Sequence, residues 1–455
     1  MAKKKQIELT IEEKLQNALV PKEEQPYKIP SNWCWLYSNF VVDVRDGTHD
    51  TPKYISEGYP LITSKNLKNN NIDFDKVNYI SKEDYEKINL RSKVDIGDVL
   101  FSMIGTIGNP VLIKGQTNYA IKNVALFKDI NLINMTFFRF YLETKFVIDK
   151  MKKEAKGSTQ KFVSLKYLRN FPICYPSLEE QQRIVNRIEF LFAKLDRAKE
   201  LIENTLAQFE QNKMAILHKA FTGELTAKWR KENNIDLSSW QEKTIDELCT
   251  SLKYGTSKKS KPEGSVVVLR MGNLQNGEID WSNLMYTDDK EDIEKYLLKK
   301  GDVLFNRTNG SADLIGKTSI YRGEYPAIYA GYLIKLDYGK DIIGEYLNYM
   351  MNSNKARAYC NKIKSSGASQ FNINAKKIGA FKISVPTIEE QQEIVNILDN
   401  LLAKYNKIKN LEQQLEKIEL LKKAILAKAF RGELGTNNPD EESAENLLKE
   451  ILAEK

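Results

Sequence analysis

The feature that most constrains this chain is a stretch of sequence that it contains twice. Residues 179–196 and residues 389–406 are identical at ten of eighteen positions, where about one identity is expected by chance from average residue usage. Residues 215–225 and 424–434 match in the same way, and the offset between the copies changes only from 210 to 209 residues. The chain is therefore an internal duplication, and we expect its two halves to fold alike.

Both copies begin with the sequence pattern of a helix start. Ser177 and Thr387 are good N-caps, and each follows a proline that breaks the preceding structure. Glu180 and Glu390 stand three residues after the caps, which predicts a capping box in which each carboxylate returns to the cap backbone. We expect these carboxylates to cap the helix and neutralise its dipole, not to form a catalytic pair.

Apolar residues then recur at alternating steps of four and three, which is typical of a coiled-coil seam. The seam residues are Ile184, Ile188, Leu191, Leu195, Ala198, Ile202, Leu206 and Phe209 in the first copy, and Ile394, Leu398, Leu401, Tyr405, Ile408, Leu411, Leu415 and Ile418 in the second, with a slip of one residue. Gly223 and Gly432 are candidate helix stops. Each helix is then about 42 residues, or about 63 Å, long.

The regions that precede the long helices are predicted to be α+β domains. Each contains the segment Gly-Asp-Val-Leu-Phe, at residues 97–101 and 301–305, which predicts a turn followed by a strand. An amphipathic helix is predicted near residues 136–155 and again near 343–363. Short amphipathic helices at residues 8–19 and 443–452 could close the repeat into a ring.

This pattern divides the chain into six parts. They are a helical arm (residues 1–29), a first globular domain (30–176), a central long-helix region (177–236), a second globular domain (237–386), a second long-helix region (387–434), and a linker with a C-terminal helix (435–455). The long helices are alike, whereas the globular domains have diverged in their loops. The duplication therefore separates a shared mechanical part from two domains with individual tasks.

Composition excludes several classes of protein. The four cysteines form no C-x-x-C pair and there are only two histidines, which argues against zinc sites, disulfide scaffolds and histidine triads. No apolar run is long enough to span a bilayer, so we expect a reduced, cytoplasmic protein. The net charge of +8 and the pI near 8.9 suit a polyanionic partner, and they also suit many proteins that bind none.

Catalytic motifs are missing from the sequence. The segment from Gly310 to Thr318 resembles a P-loop, but it has five residues between its glycines where a phosphate cradle needs four, so a tight structural turn is expected. No G-x-G-x-x-G follows a strand, and the Asn-Pro-Pro-aromatic motif of amino-methyltransferases is absent. We therefore predict that the chain is not an enzyme and holds no cofactor.

Basic and amide side chains in the globular domains are of the types that contact phosphates and base edges in DNA. The candidates are Lys53, Lys65, Asn66, Ser158 and Gln160 in the first domain, and Lys258, Lys259, Arg270, Asn273, Arg307, Asn309 and Gln370 in the second. Plain surface solvation is the alternative for each one. The loops at Gly157 and Gly367 could bind phosphate through backbone N–H groups or simply connect a helix to a strand.

Together these features resemble the specificity subunit of a type I restriction-modification system. The resemblance covers almost the whole chain and rests on Pro-Ser-Leu-Glu-Glu-Gln-Gln182, Pro-Thr-Ile-Glu-Glu-Gln-Gln392, the paired Gly-Asp-Val-Leu-Phe segments and the Ala-Phe-x-Gly-Glu-Leu ends. It implies two target-recognition domains separated by two long helices, packed as an antiparallel coiled coil with pseudo-two-fold symmetry. Such a chain would read two unlike DNA half-sites, roughly 34 to 36 Å apart, across an unread spacer.

The resemblance also implies partners for this chain. It would join double-stranded DNA, two copies of an adenine-N6 methyltransferase subunit and translocase-nuclease subunits, and S-adenosylmethionine, ATP and magnesium would be bound by those partners. Gln181, Gln182, Gln391 and Gln392 are the candidate docking residues. Two other interpretations stay open: a stand-alone DNA-modifying enzyme, and a coiled-coil scaffold that binds only protein.

Overall fold

The structure is a computed structural model that describes residues 10–157, 160–311, 314–367, 370–406 and 409–454. The chain forms two compact units. Unit 1 consists of Met1–Leu201 and Gln413–Lys455, and unit 2 consists of Ile202–Glu412. Each predicted globular domain lies within one unit, and each long helix contributes residues to both units.

Unit 1 is built on a four-stranded antiparallel sheet. Its strands, in spatial order, are Val42–Asp46, Val124–Asp129, Val99–Ser102 and Gly108–Leu112. A mixed sheet has the order Asn78–Ile80, Tyr59–Ile62 and Ala120–Ile121. Two antiparallel pairs complete the β-structure: Cys34–Tyr37 with Pro172–Tyr175, and Leu67–Lys68 with Asn71–Ile72.

Short helices connect and flank these strands. They are Ile11–Ala18, Ser38–Val41, Lys82–Ser92, Met135–Glu143, Lys145–Glu154, Leu165–Arg169 and Ala444–Glu454, with 3-10 turns at Lys22–Glu24 and Ser64–Asn66. The predicted turn before a strand at Gly97 is confirmed, because Gly97 has a φ of 95° and the strand begins at Val99. Such a φ favours glycine, which has no Cβ.

Unit 2 repeats this topology. Its four-stranded sheet has the order Cys249–Tyr254, Leu333–Tyr338, Val303–Asn306 and Thr318–Ile320. Its mixed sheet has the order Tyr286–Thr287, Val266–Leu269 and Ala327–Tyr329, its end pair is Gln241–Thr244 with Lys382–Val385, and its hairpin is Leu274–Gln275 with Glu278–Ile279. A further sheet joins Thr308–Asn309, Phe371–Asn372 and Ser365–Ser366. The helices are Ala227–Glu232, Ile245–Leu248, Lys290–Tyr296, Gly344–Met351, Asn354–Ile363 and Ala375–Gly379, with 3-10 turns at Leu237–Ser239 and Met271–Asn273.

The single amphipathic helix predicted after the central strands is in fact two helices in each unit. In unit 1 the break falls at Thr144, whose hydroxyl accepts a hydrogen bond from the N–H of Val147 at 3.3 Å. In unit 2 it falls at Ser353, whose hydroxyl accepts from the N–H of Ala356 at 3.4 Å. Each hydroxyl starts a new helix as its N-cap, so the prediction of one continuous helix is wrong at these residues.

The first long helix runs from Leu178 to Phe221 and contains 44 residues. The second is described as Ile388–Asn406 and Lys409–Ala429. Within unit 1 the two helices are antiparallel: Lys422 contacts Asp196 at 2.5 Å, and Lys199, three residues later, contacts the earlier Glu419 at 3.1 Å. The antiparallel prediction is confirmed there.

The predicted seam is also visible in the burial of the first long helix. Ile184 and Ile188 are fully buried in the core of unit 1, and the later seam positions are half-buried between exposed residues. In the second helix Ile394, Leu398 and Ile418 are buried. The side chains of Tyr405 and Ile408 lie outside the described residues.

Aromatic side chains hold the end of the second long helix in the core of unit 1. The ring of Phe430 lies 5.0 Å from that of Phe137 and 5.2 Å from that of Tyr141, measured between centroids. All three side chains are buried. The two terminal helices meet in the same unit: Leu15 and Leu448 are buried in one core, and the N–H of Ala444 donates to the carbonyl of Asn32 at 2.9 Å.

Glycine ends both long helices as predicted, with a φ of 82° at Gly223 and 74° at Gly432. Among the described helices, none combines the length and the apolar character required for a membrane span.

Candidate nucleic-acid interface

A cleft of about 440 Å³ opens on the surface of unit 1. Its lining combines lysines, amides, hydroxyls and one tyrosine ring, and contains no carboxylate. The lining residues are Tyr54, Thr63, Ser64, Lys65, Asn78, Ile104, Gly105, Thr106, Lys122, Asn123 and Gln160. A cationic cleft with amide donors and acceptors can hold a phosphate backbone and contact base edges.

The floor of the cleft is fixed by backbone hydrogen bonds. The N–H of Lys122 donates to the carbonyl of Ile62 at 2.8 Å, and the N–H of Asn123 donates to the carbonyl of Thr48 at 3.1 Å. Asn123 has a φ of 55°, in the left-handed region that asparagine tolerates better than most residues. The backbone of Lys122 and Asn123 is therefore held in place, and both residues line the cleft.

The wall of the cleft depends on a glycine. Gly105 has a φ of 74°, and a Cβ at this position would lie 3.1 Å from Nε2 of Gln160. The N–H of Gly105 also donates to the carbonyl of Lys161 at 2.8 Å. The absence of a side chain at Gly105 lets Gln160 lie against the wall.

The cleft unites only some of the residues predicted in the first domain. Lys65 and Gln160 line it, whereas the exposed Lys53 lies outside the lining. Ser158 lies outside the described residues. Asn66 is buried, and its side chain accepts from the N–H of Thr63 at 3.0 Å and donates to a backbone carbonyl of the following hairpin. Asn66 therefore shapes the turn that carries Lys65, and its geometry does not support a direct DNA contact.

Asn78, Lys122 and Asn123 also line the cleft, although they were not predicted from the sequence. The dipeptide Lys122-Asn123 repeats the Lys65-Asn66 pair, and this was the available signal. Asn66 turns into the domain, whereas Asn123 lines the cleft. Tertiary hydrogen bonds decide these orientations, so the sequence alone does not show them.

Unit 2 builds the same backbone with different side chains. The N–H of Ala330 donates to the carbonyl of Leu269 at 2.9 Å, and the N–H of Gly331 donates to the carbonyl of Thr256 at 2.7 Å. These bonds match those of Lys122 and Asn123 in unit 1. The lysine and asparagine side chains of the first cleft are thus missing from the equivalent positions of the second domain.

In unit 2, where the lysine is missing, the positive charge comes from an arginine whose side chain is held in place. Nε of Arg307 donates to the carbonyl of Ile373 at 3.3 Å, Nη1 donates to the carbonyl of Gly331 at 3.4 Å, and the guanidinium lies 5.0 Å from the centre of the Tyr254 ring. Counted from the shared Gly-Asp-Val-Leu-Phe segment, the equivalent residue in unit 1 is the buried Met103. The guanidinium is therefore oriented before any ligand arrives.

Asn309 and Gln370 lie close to Arg307 in the fold. Asn309 pairs with Phe371 in a short antiparallel ladder, and its side-chain oxygen accepts from the N–H of Ser311 at 3.0 Å. Gln370 is exposed at the loop that leads into this ladder. The structure therefore brings Arg307, Asn309 and Gln370 to one part of unit 2.

The lysine predicted near the start of the second domain has acidic neighbours. Lys258 contacts Asp289 at 2.8 Å, Glu291 at 3.4 Å and Asp292 at 3.4 Å. The hydrogen bond that Lys258 donates to Asp289 is the main reason why the pKa of Lys258 is raised. Three carboxylates offset its charge, so Lys258 is a weak candidate for phosphate binding, whereas its neighbour Lys259 is exposed.

Arg270 and Asn273 hold a turn in unit 2. Nη2 of Arg270 donates to the carbonyl of Asn283 at 3.2 Å. Asn273 is buried and donates to the carbonyl of Asp280 at 2.9 Å, as Asn66 does in the first domain. Their contacts are structural, and Asn273 is not placed to meet DNA.

The glutamate at the start of the second long helix is buried in a polar cluster. Glu390 is 0% exposed, and its carboxylate accepts from Thr226 at 2.6 Å, from Arg230 at 2.5 Å and from the indole of Trp240 at 2.9 Å. The hydroxyl of Thr387 does cap the helix, since it accepts from the N–H of Glu390 at 3.4 Å. The predicted return of the carboxylate to the cap backbone is wrong.

Glu180 departs from the prediction in the same way. Ser177 caps the helix by accepting from the N–H of Glu180 at 3.2 Å, but the carboxylate accepts from Thr436 at 2.6 Å and from Arg183 at 2.9 Å. Arg183 also contacts Glu441 at 2.6 Å. Burial raises the pKa of Glu180. The predicted polar linker is therefore fastened to the start of the first long helix.

Two of the four predicted docking glutamines are buried. The side chain of Gln181 accepts from the N–H of Asn134 at 2.8 Å and donates to the carbonyl of Pro176 at 2.9 Å. Gln391 forms the equivalent pair of hydrogen bonds in its own domain. Both amides tie a long helix to its globular domain, and neither is accessible to a partner.

The other two glutamines are exposed and share one contact, while Gln182 also accepts from the side-chain amide of Asn134 at 2.9 Å. Gln182 donates to Asn186 at 2.8 Å, and Gln392 donates to Asn396 at 3.1 Å. The same amide pair is thus displayed at the start of both long helices.

A family model and two curated relatives all match this chain as type I restriction specificity proteins. The family model of the type I restriction modification DNA specificity domain matches residues 47–210 and again residues 238–420. The EcoKI specificity subunit of a type I restriction enzyme from Escherichia coli (strain K12) is 26% identical over 456 residues, covering 94% of this chain and 96% of that protein. The StySPI specificity subunit from Salmonella potsdam is 26% identical over 455 residues, with the same coverage of 94% and 96%.

A solved structure supports the same fold. One chain of a structure described as the basis of complex assembly and conformational transition of the type I R-M system matches with a TM-score of 0.67 at 19% identity. The match covers 90% of this chain and 100% of that chain.

Proposed function

Since this chain belongs to the type I restriction modification DNA specificity family, in which it is a specificity subunit, we propose that its two units read two unlike half-sites of one bipartite DNA target. Unit 1 would read one half-site with the cleft around Lys65, Lys122 and Asn123. Unit 2 would read the other with the surface around Arg307. The unread spacer would be set by the long helices.

One observation carries this proposal: the two units share a backbone scaffold but not the side chains on its ligand-facing surface. Lys122-Asn123 in unit 1 corresponds to Ala330-Gly331 in unit 2, with the same backbone hydrogen bonds. Met103 corresponds to Arg307. Different side chains on a shared backbone are what two different half-sites require, because hydrogen bonds to base edges carry the sequence information.

We propose further that the chain supplies recognition and leaves the chemistry to its partners. Two adenine-N6 methyltransferase subunits would bind S-adenosylmethionine, and translocase-nuclease subunits would use ATP and magnesium. The assembly would act on DNA in the cytoplasm.

The two methyltransferase copies would dock on the surface that the chain displays twice. Gln182 and Gln392 are exposed, and each donates to the asparagine four residues later in its helix. Leu178 and Ile388, four residues before them, are 40% and 41% exposed. A two-copy partner needs two equivalent surfaces, and these residues support that assignment.

Binding of the full chain, assembled with its methyltransferase partner, to a randomised duplex library tests the proposal. We expect selection of two separated half-sites and an affinity that falls steeply with salt, since lysine and arginine contacts to phosphate release counterions. Salt-insensitive or absent DNA binding would favour the protein-only scaffold. Methyl transfer by the purified chain alone, incubated with DNA and S-adenosylmethionine, would favour the stand-alone enzyme.

A further inference from the structure

A histidine in unit 1 connects a buried carboxylate to the asparagine on the floor of the cleft. Nε2 of His49 lies 2.9 Å from Oδ2 of Asp46, and Nδ1 of His49 lies 2.9 Å from Oδ1 of Asn123. The side chain of Asp46 is 6% exposed. Its other oxygen is bound by Arg91, so the carboxylate itself is held in place.

The chemistry of these groups fixes the direction of the contact. A carboxylate only accepts, so Nε2 of His49 must donate to Asp46. Nδ1 donates to the amide oxygen of Asn123 when it carries a proton, and accepts from the amide Nδ2 when it does not. In both cases the histidine occupies one end of the Asn123 amide and leaves the other end for a ligand in the cleft. An unconstrained asparagine could offer either its donor or its acceptor end.

Unit 2 shows that this chain of contacts is not needed for the fold. Gly47 and Gly255 occupy equivalent positions, since a Cβ on either would meet the carbonyl of the neighbouring strand, at 2.3 Å in unit 1 and 2.1 Å in unit 2. Counting from these glycines, unit 2 has Tyr254 where unit 1 has Asp46, and Ser257 in place of His49. Gly331, which occupies the position of Asn123, has no side chain.

We propose that His49, held by Asp46, is a positioning residue that fixes the Asn123 amide and thereby sets the base preference at one pair of the first half-site. The end of the amide that His49 leaves free sets the preferred base: Nδ2 selects an acceptor in the major groove, such as O6 or N7 of guanine, and Oδ1 selects a donor, such as N6 of adenine. The inference rests on the proposed function, because it needs the cleft of unit 1 to read DNA.

Four variants of the full chain, assembled with the methyltransferase partner, test this inference: N123A, H49A, the double variant, and H218A as a control. His218 is the other histidine of the chain and lies exposed on the first long helix. Each complex is used to select duplexes from a randomised library, and discrimination is measured at every position. We expect N123A and H49A each to lower discrimination at the same base pair by about ten-fold, and H218A to change nothing.

The double variant separates positioning from a direct DNA contact by His49. If His49 acts only through Asn123, adding H49A to N123A causes no further loss. An additional loss, or unchanged preferences in H49A, would overturn the inference while leaving the proposed function intact. A wild-type complex with no sequence preference would instead overturn the proposed function.

The second half-site serves as an internal control for folding. Its preference should be unchanged in every variant, because the variant side chains of the cleft lie in unit 1. If H49A lost both half-sites, H49Q would be measured in its place. The imidazole contacts Asp46 and Asn123 through two nitrogens of one rigid ring, which a flexible glutamine does not reproduce, so the preference at the same base pair should weaken while the second half-site persists. An unchanged preference in H49Q would contradict the inference.

Discussion

At the scale of single residues, the stability of each unit depends on a buried glutamate. Glu390 is fully buried and pairs with Arg230, which is also buried. We expect E390A to destabilise unit 2 by about 3–5 kcal/mol, because it leaves an arginine buried without its counter-charge. The free energy of opening of residues 237–386, measured by amide hydrogen exchange, reports this effect.

The neighbouring glutamate provides a matched control. Glu389 is exposed, so E389A should change the free energy by no more than about 0.5 kcal/mol. Equal effects of the two substitutions would mean that helix capping, and not the buried ion pair, is what these carboxylates contribute.

Arg307 allows a residue-scale prediction about specificity. Its guanidinium is fixed by two carbonyls and a tyrosine ring, and lysine cannot reproduce that planar, oriented group. We expect R307K to lower discrimination in the second half-site by about ten-fold, with the first half-site unchanged. Selection from a randomised duplex library measures both. R197K, which makes the same replacement at an exposed arginine of the first long helix, is the control, and a loss of equal size in both half-sites would contradict the assignment.

The sequence predicts only some of the side chains that line the cleft. Lys65 and Gln160 were predicted and do line the cleft. Asn66 was predicted as well, but its amide is consumed by the turn, and Asn123 was not predicted. An asparagine beside a lysine looks the same in both places, and only the packing of distant segments decides which amide is left for a ligand.

At the scale of elements, the sequence was more informative because local signals dominate. Helix stops at Gly223 and Gly432 and the turns at Gly97 and Gly301 were predicted, and all four have positive φ. The breaks at Thr144 and Ser353 were missed, although a hydroxyl residue that competes for a backbone N–H was present in each pattern. The burial of Glu180 and Glu390 depends on segments far away in the sequence, so local patterns did not reveal it.

The end of the second long helix yields an element-scale prediction. Phe430 is buried among aromatic rings in unit 1, and we expect F430A to destabilise unit 1 by about 3–5 kcal/mol through lost burial and the cavity left behind. Thermal unfolding of the full chain measures the change. F190A is the control, since Phe190 on the first long helix is 51% exposed. If F190A destabilised as much as F430A, the anchoring of the chain end would be contradicted.

The length of the long helices should determine the spacer between half-sites. Removing about one helical turn from both helices, within residues 202–206 and the matching part of the second helix, should shorten the spacer of the recognised target. Methylation mapping measures the spacer, and replacing the same residues without deletion is the control. An unchanged spacer after the deletion would show that another part of the assembly sets the distance.

At the scale of the whole molecule, the duplication has kept the backbone scaffold of the two units alike while their surface side chains differ. The two units share strand order, helix caps and buried glutamines, and they differ at the side chains that face the candidate ligand. A chain of this kind can change one half of its target without rebuilding the other.

Exchanging residues 30–176 for those of a relative, followed by mapping of N6-methyladenine in cells, tests this central claim most directly. We predict that one half-site of the methylated target changes, while the other half-site and the spacer are preserved. A target altered in both halves, or in neither, would contradict the assignment of one reader to each unit.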